Sequence, residues 1–88
     1  MIEFRYDTQL LIAGKNLSED EIRESFLTLF KGDCLIVVGD GLGANSETIK
    51  IHFHTNEPWD VLKFCSTKGE IHDIVIEDMD RQARGLKG

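Results

Sequence analysis

Cysteine is scarce in this chain, and proline scarcer still: two cysteines, Cys34 and Cys65, and a single proline occur in 88 residues. The thiols do not form a C-x-x-C pair, so neither a dithiol redox motif nor a structural zinc motif is expected. Cys34 falls in an apolar strand and Cys65 on the apolar face of a helix, and both read as buried free thiols of a reducing cytosol. Basic clusters are missing as well. Ten Lys and Arg stand against 16 Asp and Glu, a net charge of −6, and the cations are scattered. That balance argues against a nucleic-acid surface, which needs clustered Lys and Arg, and against an anionic membrane. The longest apolar run, near Cys34–Val38, is far too short to cross a bilayer. No basic stretch followed by an apolar run opens the chain, so no signal peptide is expected and the cytoplasm is the expected compartment. Asn16-Leu17-Ser18 matches a glycosylation sequon, but without a secretion signal it is simply the lead-in to a helix.

What is present is ordinary globular material. The sequence is 41% hydrophobic and 30% charged, which is too apolar for disorder, and the length predicts one domain with a small core. Residues 1–79 are expected to form it, with 80–88 as a polar tail or linker stump. Glu3 to Ala13 alternate as a strand that Gly14 breaks. Ser18 and Glu21 form an S-x-x-E capping box, and Ile22, Phe26, Leu29 and Phe30 then recur on one helical face. Gly32 is expected to close that helix as a left-handed C-cap. Cys34–Val38 reads as a buried strand, Asp40 to Ser46 as a turn, and Glu47 to Thr55 as a strand returning in a hairpin. Pro58 suits the first turn of a second helix, whose apolar side is Val61, Leu62 and Cys65 with Trp59 and Phe64 flanking, and which Gly69 ends. Ile71 to Glu77 is a fourth strand. Glu77-Asp78-Met79-Asp80 reads as a solvated chain end.

The order β-α-β-β-α-β predicts an α+β, two-layer, ferredoxin-like sandwich: an antiparallel four-stranded sheet with two helices on one face. Right-handed crossovers give the strand order 4-1-3-2. Period-two alternation turns Phe4, Tyr6, Leu10, Ile49, Ile51 and Phe53 toward the helices. It turns Asp7, Gln9, His52 and His54 to the opposite, open face.

Asp7, His52 and His54 are therefore the candidate metal site. Two imidazoles at i, i+2 on a strand project the same way, and with a carboxylate they make a known zinc ligand set that leaves a fourth position for water. The same pair can bind an anion or be solvated histidines. Gly39-Asp40-Gly41-Leu42-Gly43-Ala44 matches G-x-G-x-x-A, but a strand follows it rather than a helix, so these are hairpin glycines and not a dinucleotide fingerprint. His72 reads as a partly exposed strand residue. No nucleophile elbow and no catalytic set is visible.

Four segments, in order, resemble one family. Phe4-Arg5-Tyr6-Asp7-Thr8-Gln9-Leu10 is similar to its aromatic-Cys-Thr-Glu-Phe opening, and Gly32-Asp33-Cys34-Leu35-Ile36-Val37-Val38-Gly39-Asp40 to its Gly-Asp-Ser-Leu-Val-Val-Val-Gly-Asp segment. Ile51-His52-Phe53-His54-Thr55-Asn56-Glu57-Pro58 resembles Val-His-Val-His-Thr-Asp-x-Pro. Gly69 to Met79, followed by Gln82, resembles Gly-Glu-Leu-x-x-Ile-x-Ile-Glu-Asn-Met. The family is that of the catalytic subunit of bacterial fatty acid kinase, also described as dihydroxyacetone-kinase-related (DhaL-like), and the resemblance is to its middle domain.

It implies a non-catalytic linker or scaffold domain between an ATP-binding domain and a DegV-like domain, working with an acyl-carrying DegV-like protein. It also implies a zinc site of one Cys and two His, which fall on Asp7, His52 and His54. Asp is a harder and weaker zinc ligand than thiolate, which leaves open a weaker site, a changed metal preference or a lost site. No phosphate-binding loop or acidic magnesium cluster is present, so no nucleotide is expected here and the chain alone should phosphorylate nothing. Two other readings stand beside this one: a small stand-alone metal-binding or ligand-sensing domain, and a dimerisation module using the open face.

Overall fold

The computed structural model describes residues 2–41 and 45–88. The elements are β1 (Tyr6–Leu17), α1 (Glu19–Leu29), β2 (Gly32–Gly39), β3 (Ser46–Thr55), α2 (Pro58–Ser66), β4 (Glu70–Asp78) and a short α3 (Met79–Ala83). The sheet runs β2-β3-β1-β4 with every neighbouring pair antiparallel. This is the expected α+β architecture and the expected strand order, read from the other edge. Among the described residues no helix is long and apolar enough to cross a membrane.

Side-chain parity holds along the two central strands. Leu10 and Ile12 of β1 and Ile49, Ile51 and Phe53 of β3 are buried, and they meet Ile22 and Phe26 of α1 and Val61 and Cys65 of α2. Phe26 is the centre of this layer, with edge-to-face contacts to Phe30, Phe53 and Phe64 at ring separations of 5.3, 5.3 and 5.8 Å. Tyr6 also lies on the helix side, packing edge-on to Trp59 of α2.

Helix α1 starts where the sequence places it: Ser18 Oγ accepts the Glu21 N–H at 3.2 Å, satisfying one of the free donors of the first turn. Its end differs from expectation. Phe30 is the C-cap, in extended conformation, and Gly32 does not take a positive φ. Gly32 is instead required by close packing, because a Cβ there would collide with the His54 carbonyl and the Phe53 ring. Leu29, expected on the buried face, is the last residue of α1 and is exposed.

Strand β1 also outruns its expected end. It passes through Gly14 to Leu17, with a register shift between Ala13 and Leu17 and Asn16 at φ 54, a conformation asparagine tolerates better than most residues. The bulge lets the strand continue and returns Leu17 to the core. Strand β2 is an edge strand and not a buried one: Val37 is covered while Ile36 and Val38 are exposed.

The acidic run at the end of β4 is not simply solvated. Asp78 is largely buried, caps α3 through the N–H groups of Asp80 and Arg81, and is gripped by the Arg5 guanidinium at 2.8 to 3.0 Å. The Met79 N–H donates to the Arg5 carbonyl at 2.8 Å beside it. Of the Gly39–Ala44 motif, residues 42–44 lie outside the described residues; Gly39 ends β2 and β3 begins at Ser46.

Candidate metal centre

The antiparallel register sets Asp7 of β1 opposite His54 of β3, and Gln9 opposite His52. All four side chains therefore leave the sheet on the face away from the helices. The structure brings together the three residues singled out from the sequence. His52 Nε2 and His54 Nε2 lie 3.2 Å apart, and Asp7 Oδ1 lies 3.5 Å from the first and 3.8 Å from the second. Each side chain is about four-fifths covered, with exposures of 24%, 21% and 19% for His52, His54 and Asp7. Gln9 Nε2 reaches both Asp7 oxygens only at 3.5 Å, a length at which little hydrogen-bond strength remains.

The donor set suits a divalent ion. Ligands about 2.0 Å from a tetrahedral zinc are separated from one another by about 3.3 Å, and the three edges of this triangle bracket that value. Two neutral imidazoles and one carboxylate supply a single negative charge toward a doubly charged ion and leave a coordination position on the solvent side.

Sequence reasoning missed two neighbours. Asp33 of β2 lies opposite His54, with Oδ1 3.5 Å from His54 Nδ1. Cys34, expected to be buried, is exposed. Between Asp33 and Ile36 the register slips, so that β2 uses one residue more than β3, and Cys34 sits at φ 53. The expectation rested on the apolar run reading as a strand buried on both faces; β2 is instead an edge strand, and it bulges at this point. Asp33, Cys34 and His54 offer ligand atoms that all lie within 4.8 Å of one another. No signal in the sequence marks the bulge; the pairing of Asp33 with His54 follows only once the β2–β3 register is known. Cys65, by contrast, is the expected core thiol, fully covered, and burial pushes its pKa up to about 12.

The remaining candidates are plain. His72 Nδ1 is 3.2 Å from the adjacent, exposed Asp73, and His72 is half-buried, as expected for a partly exposed strand residue. The open face also carries exposed Ile36 and Val38, opposite His52 and Lys50, and exposed Val75, opposite Gln9. A cleft of about 710 Å³ lies at the end of α1 between Phe4, Phe30 and Leu35 and does not include His52 or His54.

Residues 3–86 match the model of a family described as the FakA-like middle domain of fatty acid kinase. The chain is also similar to uncharacterized proteins of Staphylococcus saprophyticus and Staphylococcus epidermidis, each 32% identical over 87 residues, and of Staphylococcus aureus, 31% identical over the same length. These alignments cover 94% of this chain but only 14 to 15% of the staphylococcal proteins.

Proposed function

The chain belongs to the FakA-like middle-domain family of fatty acid kinase, and from that premise we propose that it is a scaffold domain whose open sheet face holds a zinc ion through Asp7, His52 and His54. The observation that carries this reading is the triangle of donors, with edges of 3.2, 3.5 and 3.8 Å. A bound ion would supply a cross-link between the two central strands and a charged anchor at the polar middle of the open face. His52 and His54 offer their Nε2 lone pairs, and Asp7 offsets the charge. Gln9, on the same face, reaches both Asp7 oxygens only at 3.5 Å and leaves the carboxylate free to turn toward an ion.

The partners that suit such a face are neighbouring domains of a longer protein, ATP-binding and DegV-like, or a separate acyl-carrying DegV-like protein. Exposed Ile36, Val38 and Val75 around the triangle support a docking role, since apolar side chains gathered beside a polar centre are typical of an interaction surface. In this reading the domain itself transfers no phosphoryl group, and purified chain incubated with ATP gives no turnover above a heat-killed control.

The direct test is metal content by mass spectrometry of the purified, tag-free protein beside a His52→Ala/His54→Ala variant. Near-stoichiometric zinc in the parent and none in the variant is the expected result. Metal-free protein in both, after zinc incubation and desalting, refutes the metal and leaves only the docking role.

A further inference from the structure

We propose that Asp33, Cys34 and His54 form a second metal-binding set, for a thiophilic divalent cation, on the opposite edge of the same imidazole. It shares the assignment of His54 as a ligand with the reading above and otherwise uses residues that reading leaves idle. His54 presents Nε2 to His52 and Asp7. Its other nitrogen, Nδ1, faces Asp33 Oδ1 at 3.5 Å. The ring thus stands between two groups of donors, one on β1 and β3 and one on β2.

Cys34 completes the second group. The extra residue in β2 between the Asp33–His54 and Ile36–His52 pairs brings Asp33 and the exposed Cys34 together beside His54. Bulges of this kind commonly re-aim a side chain at the edge of a sheet. The φ of 53 at Cys34 is one that glycine adopts freely and cysteine rarely. The three ligand atoms lie within 4.8 Å of one another. Asp33 is well exposed, at 59%, so a side-chain rotation suffices to close the set on an ion.

The ligand chemistry selects the cation. A thiolate, an imidazole and a carboxylate favour zinc, cobalt or cadmium over calcium or magnesium, which prefer oxygen alone. Binding releases the thiol proton to solvent as the sulfur–metal bond forms, and with both sets filled His54 also gives up its remaining ring N–H proton to solvent, so that it bridges the two ions as an imidazolate. Cys65 cannot substitute, being wholly buried on the inner face of α2, on the other side of the sheet.

Cobalt(II) absorption separates this set from the first. Thiolate ligation adds a near-ultraviolet charge-transfer band that nitrogen and oxygen ligands do not give, whereas any tetrahedral site gives visible ligand-field bands. Titrated with cobalt, the wild-type chain should show both. Cys34→Ser should lose the charge-transfer band and keep the ligand-field bands of the Asp7, His52, His54 site, and His52→Ala should keep the charge-transfer band. Ligand-field bands in the wild type without a charge-transfer band overturn this inference and leave the first site standing. A band that survives Cys34→Ser overturns it too, and so does its loss in His52→Ala, because Cys34 would then serve the first ion. A wild-type chain with no cobalt absorption of either kind refutes both sites.

Discussion

At the scale of single residues, the most consequential group outside the metal face is Asp78. Its carboxyl is held below the usual carboxylate range, first by the Arg5 guanidinium; burial opposes this next, and the N–H groups of Arg81 and Asp80 lower it further. Glu19, which accepts the Gly39 N–H, and Asp40, which accepts those of Thr48 and Glu47, are lowered as well. A depressed carboxyl binds fewer protons folded than unfolded. Its contribution is therefore complete above the unfolded value, about 3.9 for Asp, and is lost as pH falls through the folded value. The melting temperature should fall on acidification below about pH 4 to 5, and Asp78→Asn should flatten part of that fall while lowering stability at neutral pH. Scanning calorimetry from neutral to acid pH checks it; an unchanged slope in Asp78→Asn would show that the Arg5 pair contributes nothing.

Residues also show what the sequence could and could not disclose. Asp7, His52 and His54 were legible because both central strands alternate without a break across them, so parity alone puts them on one face. Cys34 was not legible, because a continuous apolar run reads as covered on both faces whereas β2 lies at the sheet edge, and nothing in Gly32-Asp33-Cys34 announces the bulge that sets Asp33 beside it. Asp78 looked like one acid among several; its role depends on Arg5, 73 positions away in the chain.

At the scale of elements, starts were easier to read than ends. Ser18 announces α1 because its hydroxyl can satisfy a first-turn N–H whatever follows, and Pro58 announces α2 because it tolerates a first-turn position. Gly14 and Gly32 misled because glycine serves close packing as well as chain breaking. At Gly32 the reason is the backbone and ring of residues 53 and 54, contacts made across the sheet and invisible along the chain. The cap gives a clean prediction: Ser18→Ala removes the acceptor of the Glu21 N–H and should cost about 1 kcal/mol, read as a lower urea midpoint at unchanged slope. A midpoint equal to wild type would mean that the acidic first turn, Glu19, Asp20 and Glu21, holds the helix start unaided.

For the molecule as a whole, burial is lopsided. One face of the sheet is covered by α1 and α2 and carries the core; the other is polar at its middle and exposed and apolar at Ile36, Val38 and Val75. Substitutions on the two faces should therefore differ sharply. Phe26→Ala, at a site with 0% exposure, should cost about 3 to 5 kcal/mol. Val38→Ser, at a site 52% exposed, should cost no more than about 0.5 kcal/mol in a monomer. Urea unfolding at two protein concentrations measures both. A large, concentration-dependent cost at Val38 would mean that a second copy covers the open face.

The join between Arg5 and Met79 has a consequence for how the domain sits in a longer polypeptide. The chain enters the sheet at Tyr6 and leaves it at Asp78, and these two residues face each other across neighbouring strands. They are flanked by the Arg5–Asp78 ion pair and the Met79-to-Arg5 hydrogen bond. Although the molecule is 42 Å long, its two doors open side by side. In a longer polypeptide, segments joined before Arg5 and after α3 would start from one doorway, the domain would hang as a side branch, and its own length would add little to the gap between them.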